Sequence, residues 1–219
     1  MPAMGKSLAL KRRLRSPELT EARVLQAAEK VFGDNGYANA TIAEVVELAQ
    51  VSRGAFYLYF DNKDDVFKTL VARVIADLFD VTTQRSSGSI RNRVETSTRN
   101  YLEAFLRHRQ VLRCLFEVSS SNAEMARLHN EFRARFIERI RRHLERNIAL
   151  GLCHKMDARI ASYSLGLMIE SVGYSWLVSR FEPWPGGFEL EPVVQQLTDL
   201  WCRAAYKDGV ADLIMPRPS

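Results

Sequence analysis

The chain has 219 residues, 47% hydrophobic and 26% charged, with a formal net charge of +5. That length suits one large or two modest domains, and the apolar content supplies a sizeable core. No apolar run approaches the ~20 residues of a membrane span, and the N-terminus lacks a signal peptide's apolar core. A cytoplasmic protein with no membrane partner is therefore expected. The cysteines, Cys114, Cys153 and Cys202, are far apart and make no C-x-x-C or Cys/His metal spacing. They read as reduced, mostly buried thiols.

Residues 1–17 carry Lys6, Lys11, Arg12, Arg13 and Arg15 with no acid. A flexible basic arm is expected there, able to lie along phosphates or to act only as a solubilising tail. A first helix is predicted from Glu18 to Asn35, its stripe Ala22, Leu25, Ala28, Val31 and Phe32, ended by Gly33 or Gly36. Thr41 then caps a short helix, with Glu44 as capping-box partner and Ile42, Val45, Val46 and Ala49 inward. A turn at Gln50-Val51 leads to Ser52, which caps a second short helix over Arg53–Phe60. Phe56 and Phe60 face its core, while Arg53, Gly54, Ala55, Tyr57 and Tyr59 point elsewhere. That face suits the DNA major groove. Gly54 and Ala55 allow close approach, Arg53 reaches a guanine edge or a phosphate, and the tyrosines donate to phosphates. The same pattern also fits an ordinary helical hairpin. Asp61 is expected to cap a long helix, Asn62 to Arg85, with Lys63 in a first turn where a cation opposes the helix dipole. A phosphate is the natural partner for that cation.

This stretch closely resembles the DNA-binding signature of the TetR family of bacterial transcriptional regulators. The likeness lies in Thr41-Ile42, Val45, Ala49, Val51-Ser52, Gly54, Phe56-Tyr57, Tyr59-Phe60 and Lys63-Asp64. Upstream it continues in Ala27-Ala28, Phe32, Gly36-Tyr37 and Ala40. Gln50 departs from the family's usual turn glycine, and Val46 from its usual alanine. The resemblance implies an all-α fold: a three-helix helix-turn-helix domain over residues 18–62, then a helical ligand-binding and dimerisation domain over 63–207 and a loose tail over 208–219. It also implies DNA contacts from Thr41, Ser52, Arg53, Gly54, Ala55, Tyr57, Tyr59 and Lys63, joined by Lys11, Arg12, Arg13 and Arg15 of the arm.

Beyond the loop at Ser86–Ser89 the pattern is helical to the end. Helices are expected over Arg93–Arg107, Gln110–Val118, Asn122–Leu150, Asp157–Arg180 and Pro192–Tyr206. The third bears many arginines among Glu131, Glu138 and Glu145, which reads as a solvated, ion-paired face rather than a membrane or nucleic-acid surface. The last two have broad apolar faces, and the resemblance implies that they pair with their two-fold mates in a homodimer. The segments LEAFLRHRQVLRC, ARFIERI, LMIE and LW also resemble the branch containing the mycobacterial ethionamide-resistance repressor. That branch implies an apolar ligand pocket, for which Tyr101, Phe105, Phe132, Phe136, Met168, Glu170, Tyr174 and Trp201 are candidates. Glu170 stands out because its neighbours predict burial: it pairs with a helix arginine or faces the pocket or the dimer seam.

No cofactor or metal is expected, since His108, His129, His143 and His154 show no ligand spacing. No nucleophile elbow, P-loop or dinucleotide fingerprint occurs, so an enzyme is not expected. The reading is a ligand-responsive, sequence-specific DNA-binding repressor, released from a palindromic operator by an apolar small-molecule effector. Two other classes stay open on the sequence: a helical carrier that has lost specific DNA binding, and a non-specific architectural DNA binder.

Overall fold

The computed structural model describes residues 17–83, 88–181 and 187–213. The four arm cations expected at DNA, Lys11, Arg12, Arg13 and Arg15, lie outside them. Among the described residues the architecture is all-helical, with nine α-helices; Cys153 and Tyr206 form an isolated antiparallel bridge. The chain divides into two compact units. The first takes the described chain through Val74 together with Gln110–Ser121; the second takes Ile75–Arg109 and the chain from Asn122 onward.

In the first unit, α1 runs Pro17–Asn39, α2 Ile42–Ala49 and α3 Arg53–Tyr57, followed by the start of α4, Lys63–Thr83. The expected end of α1 at a glycine becomes a kink instead: Gly36 takes φ 74 and the helix resumes to Asn39. Its inner face uses Val24, Leu25, Ala27, Ala28, Val31 and Phe32, whereas Ala22 is exposed. The second short helix stops at Tyr57, short of the expected Phe60, because Tyr59 N–H turns back to Phe56 O at 3.0 Å. Phe56 and Phe60 are nonetheless both buried. The α4 cap is Asn62, whose Oδ1 accepts from Asp65 N–H at 2.9 Å, and not Asp61.

Helix α6, Arg109–Ser119, supplies the remaining wall of this unit from a distant part of the chain. The Arg113 guanidinium donates to Gly33 O at 2.7 Å, and Cys114 Sγ lies 3.3 Å from Phe32 O. At Gly33 a Cβ would come within 2.4 Å of the end of the Gln110 side chain, which would have to move to admit it.

The second unit holds α5 (Ile90–Arg107), α7 (Ala123–Ala149), α8 (Ala158–Val172) and α9 (Leu190–Ala205). Helix α5 packs with α9, and α7 with α8. Arg91 bridges to Asp199 and Asp212, and Arg99 to Glu191, tying α5 to the C-terminal helix. On α7, Arg141 pairs with Glu138 and Glu145, and Arg127 with Glu131. Its charged face is thus extensively self-paired. At its C-terminal end α8 widens into a π turn, Gly173–Val178, a rare form that recurs at functional sites. Where α8 meets its neighbours, Cβ positions at Gly166 and Gly173 would lie 3.1 Å from Ile140 and Phe105.

Candidate nucleic-acid interface

The two short helices are held by their caps. Thr41 Oγ1 accepts from Glu44 N–H at 3.3 Å while the Glu44 carboxylate takes the Thr41 N–H at 2.9 Å. The Thr41 hydroxyl, which donates to Glu44 Oε2 at 2.7 Å, and then the Thr41 N–H hold the Glu44 carboxyl below its usual range. Ser52 Oγ accepts from Ala55 N–H at 3.1 Å and starts α3. Between the helices Gln50 occupies the left-handed region at φ 53, ψ 46. That is the conformation a glycine adopts without strain. Arg23 of α1 reaches across and donates to the carbonyls of Ala49 and Gln50, closing the end of α2. Arg23 was not among the sequence candidates; the one signal was that no acid stands three or four residues from it on the helix to claim it.

This frame leaves a defined outer surface. Thr41, Ser52, Arg53 and Gly54 are exposed and Ala55 and Tyr59 half-buried. Tyr57 is 54% exposed, its ring set edge-on against buried Phe56 at 5.3 Å. Gly54 faces open space: a Cβ there would meet nothing nearer than Ser52 Oγ at 3.9 Å. Internal packing therefore gives no reason for a glycine at this position. Leu58, missed in the sequence, is 80% exposed at the end of α3, an apolar contact on a polar face.

Lys63 has work inside the unit. Its Nζ donates to Tyr37 O at 2.8 Å and Ala38 O at 3.2 Å, at the end of α1, and sits 4.7 Å from the Tyr37 ring centroid. The Tyr37 hydroxyl bonds Asp64 beside it. Two of the three ammonium protons are thus used, leaving one for an outside oxygen. The local cost of a cation in the first turn of α4 is offset by closing α1.

In the second unit, Tyr101, Phe105, Phe136 and Glu170 come together. The Tyr101 ring stacks on Phe136 at 4.8 Å and 13° and lies 4.8 Å from Phe105. Glu170 is 3% exposed. Its carboxylate receives Arg133 Nη2 at 2.7 Å and Nε at 2.9 Å, with His129 Nε2 at 3.3 Å. Burial pushes its pKa up, but the bonds from His129 and Arg133 and the guanidinium charge outweigh this and hold it low. Of the other candidates, Phe132 and Trp201 are buried, while Met168 and Tyr174 are half-buried on α8 and its π extension.

A capped helix-turn-helix with an exposed outer face thus lies in the first unit, and the second unit is helical. Residues 24–70 match the model for bacterial regulatory proteins of the tetR family. The chain is 42% identical over 52 residues to the HTH-type transcriptional regulator TtgR of Pseudomonas putida, 24% of this chain and 25% of that protein. It is 28% identical over 121 residues to the HTH-type transcriptional regulator EthR of Mycobacterium tuberculosis, 53% of this chain and 56% of EthR. The match thus spans a quarter of TtgR and just over half of EthR. Among solved structures, the SmeT–triclosan complex superposes with a TM-score of 0.68 at 22% identity, covering 91% of this chain and 99% of that one. Over residues 24–70 the chain is thus similar to the bacterial regulatory proteins of the tetR family. Among the described residues no helix is long and apolar enough to cross a membrane.

Proposed function

We propose that the protein is a ligand-responsive transcriptional repressor that binds a palindromic operator as a homodimer and is released by an apolar small molecule. The observation that carries the reading is Gly54, a glycine at the start of α3 with open space where its Cβ would be. It is flanked by exposed Ser52, Arg53 and Tyr57. In this reading Arg53 contacts a guanine edge or a phosphate, Tyr57 and Tyr59 donate to phosphates, and Thr41, Ser52 and Lys63 fix the register. The arm residues Lys11, Arg12, Arg13 and Arg15 add contacts along the backbone.

A dimer is supported by exposed apolar side chains on α8 and α9: Ile160 at 68%, Tyr163 at 54% and Leu200 at 50%. Two-fold symmetry then matches an operator palindrome. The effector would bind around Tyr101, Phe105, Phe132, Phe136 and Glu170, with Met168, Tyr174 and Trp201 extending the site. Helix α4, whose residues fall partly in each unit, would carry the change. A near-complete switch requires ~10⁴-fold preference of the effector for one state.

The test is fluorescence anisotropy on the DNA flanking the protein's own gene, at two salt concentrations, against a scrambled duplex of equal length. A preference of ~10³-fold or more for the native segment is expected. Equal, steeply salt-dependent affinity for both duplexes would replace the repressor reading with architectural binding.

A further inference from the structure

Resting on the effector reading above, we propose that the Tyr101 hydroxyl is the effector's polar anchor and that the effector is a neutral, largely apolar molecule bearing a carbonyl oxygen.

Tyr101 is 1% exposed, and its hydroxyl has no hydrogen-bond partner in the structure. A hydroxyl buried without a partner costs free energy, and native proteins seldom leave one so. Its ring is fixed between Phe136 and Phe105, so it cannot easily swing to find water. The phenol lies in the fields of Glu170 and Arg133, and burial, followed by the Glu170 charge, raises its pKa. It therefore stays protonated and offers a donor, and what completes a donor is an acceptor oxygen.

The surroundings select the acceptor's charge. Glu170 and Arg133 form a bidentate pair that cancels their charges locally. An anionic head would face the buried Glu170 carboxylate, to which Arg133 already gives its Nε and Nη2. A cationic head would have to displace Arg133. A neutral ketone, ester or amide oxygen meets neither obstacle, and Phe105 and Phe136 suit an alkyl or aryl body beside it. Close by, Gly173 opens the π turn at a place where a Cβ would lie 3.1 Å from the Phe105 ring, so the backbone beside Phe105 departs from regular helix geometry there.

The experiment compares the full-length protein with its Tyr101→Phe variant, which removes only the oxygen. The probes are 2-nonanone, n-decane with the same number of heavy atoms, and octanoate, followed by tryptophan fluorescence. The ketone is expected to lose about 5- to 15-fold in affinity in the variant, the worth of one neutral hydrogen bond. Decane should change less than about 2-fold, and octanoate should bind the wild type more weakly than the ketone. The ligand-free variant should melt no lower than the wild type, since it loses an unpartnered group.

Equal losses for ketone and decane would overturn the anchor, leaving Tyr101 as packing alone. So would a clearly lower melting temperature of the ligand-free variant, since the hydroxyl would then already be satisfied. Tighter binding of octanoate than of ketone would overturn the neutral head, and no binding of any probe would overturn the site. The repressor reading stands or falls separately, on operator affinity without probe. Ketone binding that leaves the operator complex intact would uphold the anchor and overturn effector release.

Discussion

The Arg23 guanidinium donates to the Gln50 carbonyl at 3.1 Å across 27 residues of sequence, and to Ala49 O beside it. The contact ties the first helix to the turn that aims α3, at the residue holding a left-handed backbone without being glycine. Gln50 N–H still closes onto Glu47 O at 3.0 Å, so the turn is complete. Its strain is compensated locally rather than avoided.

Gln50→Gly should therefore stabilise the protein. A side chain in the left-handed region costs roughly 1–2 kcal/mol, reduced here by the loss of chain entropy that glycine brings. A net gain of about 0.5–1 kcal/mol is expected, read as a higher urea midpoint at unchanged slope. Arg23→Met should move the midpoint the other way by about 1–2 kcal/mol, leaving two carbonyls less well served. A Gln50→Gly midpoint below wild type would show that the glutamine side chain contributes more than its backbone costs.

Gly54→Ala separates fold from function. The site has room, and alanine is the better helix former by about 1 kcal/mol, so stability should hold or rise. Operator affinity should fall at least ~10-fold if the DNA backbone passes over this position, because the methyl would occupy the approach. Arg53→Ala and Tyr57→Phe should also weaken binding without unfolding. Anisotropy and thermal melts on the same samples check both halves, and unchanged affinity in all three variants would remove α3 from the interface.

The helix-turn-helix was legible because its cues are local. Thr41 with Glu44, Ser52 at the start of α3, and Phe56 with Phe60 are decided within a few residues, and each kept its expected place. What the sequence concealed was set by contacts far along the chain. Nothing near VLRCLFEV announces that Arg113 and Cys114 close onto Gly33 and Phe32 some 80 residues earlier. The phosphate-like reading of Lys63 likewise lacked the carbonyls of Tyr37 and Ala38, which only the folded chain brings near. Glu170 was expected to be buried and to need a partner. Its partner is an arginine of the expected helix, but the choice of Arg133 depends on the rotation of α7 against α8, which periodicity alone does not fix.

Removing the acid of the Glu170–Arg133 pair should destabilise the fold. Glu170→Leu strands a guanidinium that is 29% exposed. A loss of about 2–4 kcal/mol is expected, since a broken buried pair typically costs 3–5 and partial access to water relieves some of it. The double variant Glu170→Leu/Arg133→Met should recover more than half of that, because a well-packed apolar pair rivals a buried ion pair. Additive losses in denaturant unfolding would show that the two side chains are not energetically coupled.

His143 sets the expected acid limb of stability. Its Nε2 bonds the Tyr206 hydroxyl at 2.5 Å. Burial, then the charges of Arg146, Arg93 and Arg139, pull its pKa down to about 4. The unfolded histidine titrates near ~6.5, so between these values the unfolded chain binds more protons than the folded one. Stability is then full above pH ~6.5 and is lost as pH falls toward ~4, by up to about 3 kcal/mol for a shift of this size. The Glu170 contribution has the same sign but a lower window, fading only as the pH drops below the usual carboxylate range near ~4.3. Urea midpoints at pH 7.5, 6 and 5 should decline for the wild type. For His143→Gln, which keeps an acceptor for Tyr206 but carries no proton to gain, they should stay nearly level. A parallel decline in both proteins would move the origin of the acid limb away from this histidine.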